Sequence, residues 1–112
     1  MWEIRSVVIG EGMDRVQSAA RQLQSEGIDA KWYQAWGKNF PSNRPMTPSE
    51  FASALARNQR WIDIKMGQGY TIYDIGVDAA REGTTSPFYA LEQSRINFFN
   101  YPTVNYPWGP SR

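Results

Sequence analysis

The sequence contains no cysteine and no histidine. Disulfides and any metal site ligated by those side chains are therefore excluded. The Ser-His-Asp triad, the zinc deaminase centre and nucleases with a histidine base are excluded with them. Whatever chemistry the chain performs falls to carboxylates, Arg, Lys, Tyr, Ser or Thr, or to a hard cation held by oxygen. Net charge is scarce too: 12 Lys+Arg against 11 Asp+Glu leave +1 at pH 7. The bulk charge thus lacks the basic footprint of a non-specific nucleic-acid binder. No apolar run reaches the length of a membrane span, and "MWEIRSVVIG" lacks a signal-peptide layout.

Apolar and aromatic material is plentiful. Five Trp, six Tyr and five Phe in 112 residues supply enough area for one core. The expectation is a single domain over residues 1–112, with 100–112 as a proline-rich tail. The mean hydropathy of −0.59 leaves the remaining surface strongly polar.

"EIRSVVIG" reads as a mostly buried strand, and "GMDRVQSAARQLQSEG" as a helix with Met13, Val16, Ala20 and Leu23 on one face. "IDAKWYQAW" (Ile28 to Trp36) returns to strand composition, and Gly37 to Met46 reads as a loop. "TPSEFASALARNQRWIDIKMGQG" opens with a capping box: Thr47 as cap, Pro48 at the first helical position, Glu50 three residues on. Its expected apolar face is Phe51, Leu55, Trp61 or Ile62, and Met66. "YTIYDI" (Tyr70 to Ile75) is the third strand, and "SPFYALEQSRINFF" repeats the cap-plus-proline opening with Ser86 and Pro87. Thr103 and Val104 can form a short edge strand between Pro102 and Pro107. Alternating strands and helices predict a small three-layer α/β fold with a mostly parallel three- or four-stranded sheet.

Ligands of open parallel sheets bind outside the carboxyl ends of the strands. The expected rim gathers Glu11, Asp14, Arg15, Lys38, Asp74, Asp78, Arg81, Thr84, Thr85 and Ser86. In "IGEGMDRV", Gly10, Glu11 and Gly12 form either a tight turn or a cradle for an anion at a helix N-terminus. The stretch matches neither a dinucleotide fingerprint nor a P-loop. In "DIGVDAAR", Asp74 stands in an apolar strand, where an ionised carboxylate is costly unless paired or bound. Asp78 and Arg81 are spaced to pair with each other, or to form no more than a surface salt bridge. Tyr89 and Glu92 fall in the first two turns of the third helix, and Glu there also suits the helix dipole. Asp63 and Lys65 match a nuclease D-x-K fragment that requires a strand, but the capping box places them on a helix. Trp32, Tyr33, Trp36, Phe51, Trp61, Phe88, Phe98 and Phe99 fit core positions. Tyr101, Tyr106 and Trp108 either cover the sheet edge or meet a partner.

"IGEGMDRV", "NQRWI" and "GYTIYDIGVDAAREGTTSPFYALE" together resemble the C-terminal toxin domains of bacterial Rhs-repeat and wall-associated polymorphic toxins. The matching positions are Ile9, Gly10, Met13, Arg15, Val16, Asn58, Trp61, Ile62, Asp74, Ile75, Gly76, Asp78, Arg81, Ser86, Phe88, Tyr89 and Glu92. They cover the chain apart from its tail. The resemblance implies delivery as the end of a larger secreted effector, toxicity in the target-cell cytoplasm and neutralisation by a cognate immunity protein. Such domains are commonly nucleases, with NAD-consuming and nucleotide-modifying enzymes also frequent.

Three functional expectations follow. The first is a His-independent ribonuclease, with tRNA as the candidate substrate. There Arg15 and Arg81 hold phosphate, Asp78 or Glu92 is the base, and Ser86 or Tyr89 positions substrate. If Mg²⁺ is needed, Asp74 and Asp78 with water would hold it. The second is an enzyme hydrolysing NAD or another nucleotide, with Glu92 or Asp78 stabilising an oxocarbenium-like centre. The third is a non-enzymatic interaction module using the same rim.

Overall fold

The computed structural model describes residues 5–33, 44–79 and 85–108. Its elements alternate as read from the sequence: β1 (Arg5–Ile9), α1 (Met13–Ser25), β2 (Asp29–Trp32), α2 (Pro48–Gly67), β3 (Thr71–Asp74), α3 (Pro87–Phe98) and β4 (Val104–Asn105). Among the described residues the sheet has four strands, all parallel, in the order β2-β1-β3-β4.

That order dictates the layers. The step from β1 to β2 and the step from β2 to β3 run in opposite directions across the sheet. Crossovers of one hand therefore place α1 on one face and α2 on the other. The step from β3 to β4 continues outward, so α3 joins α2. The core divides accordingly. Val7, Ile9 and Ile72 pack with Ile62 and Met66 of α2 and with Tyr89 and Ile96 of α3. Val8 and Ala30 pack with Val16, Ala19, Ala20 and Leu23 of α1. Successive β1 residues thus alternate between faces, each against its own helices.

The start of α2 bears out the capping box. Thr47 Oγ1 accepts from the Glu50 amide at 3.1 Å, and the Thr47 amide donates to Glu50 Oε1 at 2.9 Å. Arg44 adds a bidentate pair to the same carboxylate at 2.7 and 2.9 Å. With the cap bonds, that pair holds Glu50 down to a pKa of about 2. The buried line of α2 differs from the expected one: it is Ala54, Asn58, Ile62 and Met66, while Phe51 and Leu55 are half-buried. Asp63 lies on this helix and pairs with Arg95 of α3 at 2.9 Å, as its position outside any strand requires.

Two aromatics expected in the core are not there. Phe98 is 72% exposed and Phe99 50% exposed. Ile96 takes the inward direction, and each further residue turns about 100° round the helix, carrying Phe98 to the opposite side. The two rings meet edge to face at 5.0 Å, with the Arg95 guanidinium over both.

The tail does form an edge strand, shifted one residue to Val104–Asn105. Tyr106 continues it by donating its amide to Asp74 O at 2.9 Å. Its ring meets Tyr73 edge to face and stacks on Trp108, and both Tyr106 and Trp108 pack against the α1-side core. Tyr101 packs on the other core and donates its hydroxyl to Tyr70 O. No described helix is long and apolar enough to cross a membrane.

Candidate functional site

The loops at the carboxyl ends of β1 and β3 are tied together before any ligand is considered. Glu11 follows β1 and is fully buried. Its Oε1 accepts from the Asp78 amide at 2.8 Å and its Oε2 from the Ser86 amide at 2.7 Å. Its own amide donates to Gly76 O at 3.2 Å. A carboxylate is thus delivered to the start of α3, where the helix dipole favours it. This explains why Ser86, the N-cap of α3 as read from the sequence, makes no side-chain cap bond. Glu11, expected on the rim as a ligand contact, braces these two loops here.

Arg15 is also turned inward. Its guanidinium donates to the main-chain carbonyls of Glu11, Gly76, Ile75 and Trp108. Four acceptors commit its terminal N–H groups to joining both loops and the tail. The sequence assigned Arg15 to holding phosphate; here its guanidinium is turned to main-chain carbonyls. The two glycines beside it have their own constraints. A Cβ on Gly10 would lie 2.2 Å from Ile75 Cγ1, and Gly12 has φ 86°, a left-handed conformation. The tight-turn reading of this stretch accounts for both.

Asp74 stands at the end of β3, and its Oδ1 accepts from the Gly76 amide at 2.9 Å and the Tyr89 hydroxyl at 2.6 Å. Burial first, then that bond to Asp74, pushes the Tyr89 phenol well above its ordinary range. Tyr89 is therefore a neutral donor with its proton engaged, and both residues are structurally paired. The Asp74–Asp78 arrangement would need further ligands for Mg²⁺. No group of three metal-ligating side chains comes together among the described residues. Arg81, Thr84, Trp36, Lys38 and Asn39 lie outside the described residues, as does the expected Asp78–Arg81 pair.

Beside this braced frame lies a cleft of about 110 Å³. It is bounded by Ile9, Gly10 and Gly12 after β1, by Tyr33 after β2, by Asn58 of α2, and by Ser86, Phe88 and Glu92 at α3. This is where the parallel-sheet rule places a ligand. Glu92 is 6% exposed and no described group donates a hydrogen bond to it. Burial, followed by the nearby Asp74 charge, raises its pKa to about 8. At neutral pH it is mostly the acid. Burial also raises the Tyr33 phenol, opposed by Arg57 and aided by Glu92.

Asn58 is 1% exposed; its Nδ2 donates to Phe88 O at 3.3 Å and its Oδ1 has no partner among the described residues. Leaving a buried acceptor unpaired costs about 1–3 kcal/mol. Of the sequence candidates, the structure brings Gly10, Gly12, Ser86 and Glu92 to the cleft and uses Glu11, Arg15, Asp74 and Tyr89 to support it. Tyr33, Asn58 and Phe88 line it without having been chosen as site residues from local chemistry. A signal for Asn58 was present: it breaks the apolar line Ala54–Ile62–Met66 at four-residue spacing, a place where a polar side chain needs a reason.

Comparison with known protein families, characterised proteins and solved structures finds no match to this chain.

Proposed function

We propose that the chain is an antibacterial effector domain of the polymorphic-toxin kind, acting as a hydrolase on the N-glycosidic bond of a nucleotide, with Glu92 as its acid. The observation that carries the enzyme reading is Glu92 itself: a buried carboxyl without a described hydrogen-bond donor, lining a cleft at the strand ends. A structural carboxylate is ordinarily paired, as Glu11 and Asp74 are. One held as a free acid in a concave apolar site is suited to proton transfer. The toxin setting rests on the sequence resemblance, which also supports an immunity protein covering this rim.

Breaking the bond between the base and C1′ sends the electron pair onto the base and leaves oxocarbenium-like charge on the sugar. Glu92 donates its proton to the departing base. Water adds to C1′, and the proton it loses restores the acid. Gly12 and Met13 bring the start of α1 to the same cleft, where main-chain N–H groups suit a phosphate.

A nucleotide is favoured over RNA by a second observation. The cleft is small and largely apolar, and Arg15 is occupied with carbonyl groups rather than available to a polynucleotide. The test is expression from a repressed promoter in bacteria, comparing growth, NAD, nucleotide pools and total RNA for wild type and Glu92→Gln. Growth arrest with loss of a nucleotide and accumulation of free base, absent in the variant, is the expected result. Arrest with cleaved RNA and intact nucleotides would move the assignment to the ribonuclease. Normal growth of the wild type would sink the toxin reading.

A further inference from the structure

The cleft carries more information than the presence of an acid. Asn58 presents one buried acceptor without a donor, and its amide orientation is fixed because Nδ2 is bonded to Phe88 O. Glu92, on the facing helix, offers an O–H when protonated. Two rings line the same space, and each is braced from behind. Tyr33 lies 5.3 Å from Trp61, and Phe88 meets Phe51 edge to face at 5.7 Å. The volume of about 110 Å³ accommodates a single inserted heterocycle, with any sugar and phosphate at the mouth.

We infer that the cleft binds a planar amino-heterocycle, its N–H donating to Asn58 Oδ1 and its neighbouring acceptor facing the Glu92 carboxyl, so that Asn58 sets specificity. A 6-aminopurine supplies that edge through its amino group and adjacent ring nitrogen, and the carboxamide of nicotinamide supplies the same pairing. Aromatic faces add stacking without regard to the edge, while the amide reads it. This deepens the proposed reading by naming its substrate class, but it concerns binding and stands or falls without turnover.

Calorimetric titration with adenine, unsubstituted purine, nicotinamide and 3-acetylpyridine tests it, using the wild type and Asn58→Leu. In each pair the second compound lacks the amino N–H. The wild type is expected to prefer adenine over purine, or nicotinamide over 3-acetylpyridine, by about tenfold or more, as an unpaired buried acceptor requires. Which pair is discriminated identifies the source of the edge. The preference is expected to vanish in Asn58→Leu. Should Asn58→Leu fail to fold by circular dichroism, the wild-type Asn58 side-chain amide resonances decide: adenine or nicotinamide shifts them and the amino-less partner does not. Equal binding within both pairs, no binding at millimolar concentration, or discrimination retained by a folded Asn58→Leu would overturn the inference. Discrimination without any hydrolysis would keep this inference and reject the hydrolase.

Discussion

Burying a carboxyl group with no hydrogen-bond donor among the described residues changes what pH does to the whole molecule. Glu92 is displaced from an ordinary 4.5 to about 8, chiefly by burial. Between those values the native state keeps a proton that the unfolded chain has released. The stability this group contributes is complete below about pH 4.5 and is lost as pH rises through about 8. Glu92→Gln has no proton to lose. Urea titrations are therefore expected to show the variant gaining on the wild type by a few kcal/mol from about pH 4.5 to pH 8.5. Equal pH slopes for the two proteins would refute the buried-acid description. Glu92 was legible because Ser86 and Pro87 announce a helix start, which places position 92 in the second turn near the strand ends. Asn58 was harder to find, since nothing next to it in sequence says that Phe88 O and an apolar cleft will surround it. Phe98 and Phe99 misled for a related reason: hydrophobicity favours burial, but helical phase decides which side chain reaches the core.

At the level of elements, signals confined to one turn were readable and those closing long loops were not. The Thr47–Glu50 box spans three residues, so sequence spacing alone specifies it. Glu11 presents the opposite case. Between two glycines it reads as part of a turn on the ligand rim, yet its partners Asp78 and Ser86 are 67 and 75 residues away. Those contacts exist only once β1 and β3 are neighbours. Removing this acceptor leaves two amides that only a carboxylate in that place can satisfy. Glu11→Ala is expected to lose about 3 kcal/mol or more, because each charge-assisted bond contributes roughly 1.5–3 kcal/mol. Hydrogen exchange checks the mechanism as well as the magnitude. The amides of Asp78 and Ser86 should lose protection first, with α1 affected less; uniform loss throughout the chain would speak against a local brace.

For the molecule as a whole, alternating strands and helices made the parallel three-layer arrangement readable. The sheet order was not, since nothing local states which strand stands beside β1. Nor was the part played by the tail. Arg15 joins the loop after β1, the loop after β3 and Trp108 through four carbonyl groups, an arrangement visible only in three dimensions. Arg15→Met keeps the length of the side chain and removes its donors. The variant is expected to lose about 2 kcal/mol or more through unpaired carbonyls, and limited proteolysis should cut it near Trp108 sooner than the wild type. Retention of wild-type proteolytic resistance would show that aromatic packing alone holds the tail.

That tether also sets an order of events during synthesis. The cleft is framed by residues from Val8 onward, but the guanidinium that secures its loops takes one of its acceptors from Trp108, beyond the last strand. A chain emerging from the ribosome N-terminus first can form β1, α1 and β2 early. It cannot complete the frame around the cleft until Trp108, the last described residue, has cleared the exit tunnel.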